Sequence, residues 1–193
     1  IDINDLKKES ERWRTLAQQD SLTGLLNRTT FQARARDWLA GAPRDPAAML
    51  FIDVDNFKMV NDQFGHMFGD KALFWLAQQL TGCFRRTDLV GRIGGDEFVV
   101  LAKGLAKENL KEKLDQLLGK LSVPFEVMDV SALLTVSIGI AMYPADGLTY
   151  EALIEKSDRT LYIAKNNGKG LYTFFDTALP EGPFRSVITP KDS

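Results

Sequence analysis

The sequence predicts an α+β fold, with helices layered on a mostly antiparallel central sheet, and three observations predict it. Residues 47–55, AAMLFIDVD, form an unbroken apolar run ending in acids. Such a run reads as a buried central strand, because a strand covered on both faces loses its polar–apolar alternation. In TDLVGRIGGDEFVVLAK, two apolar runs flank Gly94 and Gly95, as in a hairpin. Elsewhere apolar residues recur at helical spacing, as in Leu110, Leu114, Leu117, Leu118 and Leu121.

The elements follow in order. The first stretch is polar, with Ile3, Leu6, Ser10, Trp13 and Ala17 on alternating three- and four-residue spacings. It reads either as the end of a coiled coil or as a lone amphipathic helix on the surface. DSLTGLLNR, with Asp20, Thr23, Gly24 and Asn27 as turn and cap residues, predicts a structured loop leading into a helix over 28–40. GAPRDP ends that helix, and the buried strand follows. NFKMVNDQFG is a short helical segment. A longer helix over about 69–84 carries Leu73, Leu76, Ala77, Leu80 and Phe84 on one face. After the Gly-Gly hairpin, residues 105–121 are helical, and PFEVMD is a short strand. LLTVSIGIAMYP alternates from Leu134 to Met142 as a strand covered on at least one face. A helix over about 149–165 stops at NNGKG, and LYTFF closes the sheet. The order β-α-α-β-β-α-β-β-α-β suggests a split βαβ, ferredoxin-like core. Residues 1–19 are expected to be an N-terminal signalling helix or the end of a coiled coil, 20–176 the domain, and 177–193 a tail or linker.

Composition narrows the function. The 193 residues are 45% hydrophobic and 26% charged, as in a soluble globular domain. A net charge of −2 offers no basic field for nonspecific nucleic-acid binding, but does not oppose a nucleotide ligand. One cysteine, Cys83, excludes an internal disulfide and a cysteine-based zinc site, and reads as a buried thiol. No apolar run is long enough to span a bilayer. A cytoplasmic location is expected, with any membrane or sensor segment lying before Ile1.

Four groups of residues could do chemistry. Asp53 and Asp55, one residue apart at a strand end, share a face if the strand continues that far. They suit a hard cation such as Mg²⁺, or else are solvated strand-end acids. Asp96 and Glu97 sit just past the Gly-Gly turn. If the hairpin lies beside the first strand, three or four carboxylates converge where a divalent ion would relieve their repulsion. Gly94 and Gly95 are expected to supply the positive φ of a tight turn and to let a bulky ligand approach the backbone. Asn61 and Asp70 offer an amide and a carboxylate to a guanine edge, or cap helices. Lys58, Lys165 and Lys169 could contact a triphosphate, or be solvated. His66, the only histidine, reads as loop packing.

These residues are similar to those of the diguanylate cyclases, whose signature is GGDEF, here Gly94 to Phe98. DSLTGLLNR, FIDVDNFKMVNDQFGHMFGD, RIGGDEFVVL, TVSIGIAMYP and SDRTLYIAKNNGKG resemble the family's blocks, in the family's order, from about residue 20 to 175. The resemblance implies a palm-like nucleotidyl-cyclase core that joins two GTP molecules into cyclic di-GMP and releases two pyrophosphates. Each domain would bind one GTP, so a homodimer is needed for turnover. Two Mg²⁺ ions per site, with Mn²⁺ as the alternative, would be held by Asp53, the Val54 carbonyl, Asp96 and Glu97, and would serve both the attacking and leaving oxygens. Glu97 would also help deprotonate the attacking hydroxyl. Lys58 would act on the phosphates beside Lys165 and Lys169. Phe57, Asn61, Asp70, Gly94 and Gly95 would complete the GTP site. Arg85 and Asp88, with five residues between Asp88 and Gly94, match the family's RxxD motif, which implies feedback inhibition by cyclic di-GMP. A salt bridge between Arg85 and Asp88 is the plainer alternative. Lys169 stands where the family often has arginine, and Gly170 where it often has asparagine. A catalytically inactive module sensing GTP or cyclic di-GMP is the rival reading. An adenylate cyclase is disfavoured by Asn61 with Asp70, and a pure dimerisation domain by the clustered acids.

Overall fold

In the computed structural model, residues 3–4, 9, 17–127 and 129–178 are described. Most of the expected N-terminal helix and nearly all of the tail therefore lie outside the described residues. The elements are β1 (Leu26–Asn27), α1 (Arg28–Ala40), β2 (Ala47–Val54), α2 (Phe57–Phe64), α3 (His66–Cys83), β3 (Leu89–Arg92), β4 (Glu97–Lys103), α4 (Lys107–Leu121), β5 (Phe125–Val127), β6 (Val130–Ala132), β7 (Val136–Tyr143), α5 (Tyr150–Asn166) and β8 (Tyr172–Phe174). Among the described residues, no helix is long and apolar enough to cross a membrane.

The main sheet has six strands in the order β1-β3-β4-β2-β7-β8. Its four central strands, β7-β2-β4-β3, stand in the fourth-first-third-second order of a ferredoxin-like split βαβ core. The three inner pairings are antiparallel, whereas the edge pairings β1–β3 and β7–β8 are parallel. The sheet is therefore mixed: β1 is too short to show strand periodicity in the sequence, and β8, read there as the closing strand, pairs parallel. β5 and β6 form a separate two-stranded hairpin.

β2 is buried along its whole length because both sheet faces are covered. Leu50, Ile52 and Val54 face a core built with α3 and α4, including Leu73, Leu76, Leu110 and Leu114. Met49 and Phe51 face a second core built with α1 and α5, including Phe31, Leu39, Leu153 and Leu161. Alternation puts Asp53 on that second side, towards α5. The helix lies close to the sheet there: a Cβ at Gly139 of β7 would come within 2.0 Å of the Ser157 carbonyl oxygen and 2.2 Å of the Leu161 nitrogen. Gly139 is thus what lets α5 bring its C-terminal end to the end of β2.

Candidate active site

The site forms where β2 and β4 meet at one end of the sheet. Asp53 and Glu97 are directly opposite in the ladder, and the Val54 N–H donates to the Asp96 carbonyl at 3.1 Å. Strand pairing alone therefore gathers the two acidic segments. Asp53 is 4% exposed, and its Oδ1 accepts from the Lys165 ammonium at 2.7 Å, from the last turn of α5. Burial raises the Asp53 carboxyl from 3.8 to about 6 against the opposing pull of Lys165, and the charges of Asp96 and Glu97 push it the same way as burial.

The expected convergence of three or four carboxylates is only partial. Among the described residues, no three acidic, histidine or cysteine groups are already gathered around one metal position. Lys165 takes Asp53, and Glu97 folds back over the turn, where a Cβ at Gly94 would come within 2.6 Å of its Oε2. The donor set itself suits a hard cation: carboxylates beside a free strand end, one of them buried at a cost that a cation relieves. Lys165 plays that neutralising part here.

Two sequence expectations need correction. Neither Gly94 nor Gly95 has a positive φ, so their value is space. Gly94 makes room for Glu97, and nothing lies within 4 Å of a Cβ at Gly95. Asp55 is not a candidate ligand. β2 ends at Val54, and both Asp55 oxygens are already engaged, by Ser137 Oγ at 2.7 Å, Thr135 Oγ1 at 2.9 Å and the Gly170 N–H at 2.9 Å.

The turn is held from outside. Arg92 Nε and Nη2 donate to the Gly95 carbonyl at 3.1 and 2.8 Å, while Nη1 donates to both Asp20 oxygens at 3.0 Å. Burial raises the Asp20 carboxyl, but the Thr23 hydroxyl and amide together with Arg92 outweigh it and hold the group below 3.8. Arg28 Nε adds a bond to the Ile93 carbonyl at 3.0 Å. The DSLTGLLNR segment is thus a clamp on the acidic turn as well as a lead into α1.

On the far side of the site, Lys58 is in the first turn of α2, and Phe57 beside it lies close to Gly69. Asn61 Oδ1 is buried without a hydrogen-bond partner, and a Cβ at Gly69 would fall 1.9 Å from it. An orphaned amide oxygen in a cradle only glycine leaves open fits a ligand edge, since such a group otherwise costs stability. Asp70 is exposed on the neighbouring turn of α3, and His66 begins that helix exposed, not packed in a loop. Lys169 Nζ donates to Asn56 Oδ1 at 2.7 Å. Lys169 and Gly170 both have left-handed backbones, φ 64° and 63°. Asparagine and glycine are the residues that best tolerate that region, which accounts for glycine where the resembled family has asparagine.

Arg85 and Asp88 do not form the salt bridge that was the plainer alternative for them. α3 ends at Cys83, and Asp88 instead accepts backbone N–H bonds from Arg85 at 2.7 Å and Lys103 at 2.9 Å. Arg85 is exposed and lines a cleft of about 290 Å³ with Asp88, Arg86, Phe84 and, from α1, Arg34. Sequence spacing pointed to Arg85 and Asp88; Arg34 and Arg86 carried no signal beyond their charge.

A family-wide sequence profile described as "Diguanylate cyclase, GGDEF domain" matches residues 17–170. The chain belongs to this GGDEF family. Diguanylate cyclase TpbB of Pseudomonas aeruginosa is 39% identical over 88% of this chain and 42% of its own length. The solved GGDEF domain of that protein is 38% identical, covers 82% of this chain and 94% of its own, and superposes with a TM-score of 0.77. Cyclic di-GMP phosphodiesterase PdeR of Escherichia coli is 33% identical over 95% of this chain and 28% of its own length. The GGDEF domain of DgcB from Caulobacter crescentus, solved in complex with cyclic di-GMP, is 25% identical, covers 82% of this chain and 93% of its own, and has a TM-score of 0.75. The chain thus spans less than half the length of the curated relatives it matches.

Proposed function

We propose that residues 20–176 are a diguanylate cyclase domain that condenses two GTP molecules into cyclic di-GMP and two pyrophosphates. The single observation that carries this is the pairing of Asp53 with Glu97 across β2 and β4, with Asp96 bonded to Val54 and a lysine as the present counter-ion. Asp53, the Val54 carbonyl, Asp96 and Glu97 would hold Mg²⁺ or Mn²⁺, which when bound supplies a Lewis acid for the α-phosphate and attacking oxygen. Lys165 then leaves Asp53 and, with Lys58 and Lys169, turns to the triphosphate. Asn61 and Asp70 read the guanine edge, with Phe57 flanking it and Gly94 and Gly95 leaving room for the nucleotide. Glu97 receives the proton of the 3′-hydroxyl that attacks the α-phosphate of the second GTP, and pyrophosphate leaves. Each domain presents one such half-site, so turnover requires two copies face to face. Positioning and charge stabilisation supply the catalysis in such transfers.

Product binds at Arg85 and Asp88. The exposed guanidinium offers a phosphate or guanine edge its fork of donors, and the DgcB complex with cyclic di-GMP supports a product site on this fold. The part before residue 20 carries a signal from a sensor segment, and residues 177–193 are a tail. A second reading, an inactive sensing module, is favoured by the likeness to the phosphodiesterase PdeR. Incubation of the purified chain with GTP and Mg²⁺, followed by liquid chromatography–mass spectrometry, separates the two. Cyclic di-GMP from the unaltered chain and none from Asp96→Ala or Glu97→Ala is the expected result. Binding of either nucleotide without product is the result for the sensing module.

A further inference from the structure

The connection from α5 to β8 is fastened to the end of β2 at three successive points. Lys165 meets Asp53, Lys169 meets Asn56, and the Gly170 N–H meets Asp55. The first two fastenings use lysines that must let go when they turn to a triphosphate. The third does not, and it is the buried one: Asp55 is 5% exposed. Its two oxygens take three donors, Ser137 Oγ on Oδ1 and both Thr135 Oγ1 and the Gly170 N–H on Oδ2, while its own N–H donates to the Thr135 carbonyl at 2.9 Å. Thr135, just before β7, and Ser137, within it, therefore aim the carboxylate at the loop.

That loop needs holding. Lys169 is a non-glycine residue with φ 64°, followed by Gly170 at φ 63°, a sparsely populated pair of conformations that persists only where surroundings fix it. The Lys169 N–H bond to the Ala164 carbonyl is long, at 3.3 Å, so the helix end alone holds it weakly.

We infer that Asp55 is a positioning residue for phosphate binding: through the Gly170 N–H it fixes the backbone that presents Lys169 to the nucleotide. This rests on the GTP-binding reading of the site. Aspartate at this place acts through a loop rather than on a metal or the reacting atoms, and a chain with Lys169 intact but Asp55 removed should bind guanine normally and triphosphate poorly.

The test compares 3′-deoxy-GTP, which lacks the attacking hydroxyl and cannot turn over, with guanosine, by ligand-observed NMR titration. Asp55→Ala is expected to weaken 3′-deoxy-GTP about tenfold or more, the worth of one hydrogen bond to a charged group, and to leave guanosine unchanged. Asp55→Asn, whose carbonyl can still accept from Gly170, is expected to restore most of the affinity. In a double-variant cycle, Asp55→Ala should add nothing on a Lys169→Ala background. If Asp55→Ala fails to fold, Thr135→Val decides, with the same selectivity at about threefold, since it only loosens a shared hydrogen bond. Equal weakening of both ligands, or independent effects of Asp55 and Lys169, would overturn the inference and leave a purely structural carboxylate. Failure of the unaltered chain to bind 3′-deoxy-GTP would overturn the GTP-site reading itself, and this inference with it.

Discussion

Replacing Asp53 with asparagine should stabilise the metal-free protein while abolishing turnover. Asp53 is almost wholly buried, and its carboxyl stands at about 6 where 3.8 is ordinary. The folded chain therefore holds that proton more tightly than the unfolded chain. The Asp53 contribution to folding is fully present below pH 3.8 and is lost as pH rises through about 6. A shift of roughly two units at about 1.4 kcal/mol each places the cost of an ionised Asp53 near 3 kcal/mol at pH 8. An amide does not ionise, so the Asp53→Asn variant avoids that cost, although Lys165 loses its partner. The shift to about 6 is already net of the Lys165 attraction, so the gain is about 3 kcal/mol at pH 8 and vanishes near pH 4. Urea unfolding in EDTA-containing buffer at pH 8, 6 and 4.5 measures it. A stability loss at pH 8, or a gain that does not shrink with acid, would refute the reasoning, because either would mean that the buried charge is fully compensated. The function–stability conflict is the physical point: a buried carboxylate proposed to hold a cation is an expensive anion without one.

Other consequences follow from single contacts. Gly69→Ala should raise the KM for GTP tenfold or more with little change in melting temperature, because the added methyl displaces the Asn61 amide, a flexible side-chain end; steady-state kinetics and thermal scanning read the two effects. Arg92→Ala should lower kcat at least tenfold and cost about 2 kcal/mol, since it releases the Gly95 carbonyl and strips Asp20 of its ion pair; denaturation and initial rates check both. The Asp20 share of that stability is present above pH 3.8 and lost as pH falls through the lowered value, so the gap between variant and parent should narrow in strong acid to the share of the Gly95 carbonyl bonds. Arg85→Ala should weaken cyclic di-GMP binding about tenfold or more and leave the initial rate at low product unchanged, by titration calorimetry and by progress curves that no longer slow.

What the sequence made legible was what depends on local pattern. The β2 run, the Leu stripe of α4 and the Gly-Gly hairpin were each readable because burial on two faces, helical periodicity and turn chemistry leave marks within a dozen residues. Helix α1 was placed at its observed bounds by the Asn27 cap and the GAPRDP stop. The two-residue β1 and the three-residue β6 were not read, since strands that short carry no period; β5 and β8, equally short, were found only as apolar runs that follow a clear helix stop. The site divides the same way. Asp53, Asp96 and Glu97 were found as acids at strand ends, and the pairing of Asp53 with Glu97 agrees. The use of Asp55 as an anchor was hidden because its partners Thr135, Ser137 and Gly170 lie 80, 82 and 115 residues away. The same is true of Arg92 and Asp20, 72 residues apart. Of the two reasons for singling out Gly94 and Gly95, the positive φ is absent; the missing side chain at Gly94 makes room for Glu97, and nothing lies within 4 Å of a Cβ at Gly95.

The most direct test of the account is the product formed from GTP and Mg²⁺ over a range of protein concentrations. The account predicts cyclic di-GMP and two equivalents of pyrophosphate, with a rate per protein molecule that rises with concentration as half-sites meet. A folded chain that binds GTP yet makes no cyclic di-GMP at any concentration would contradict it.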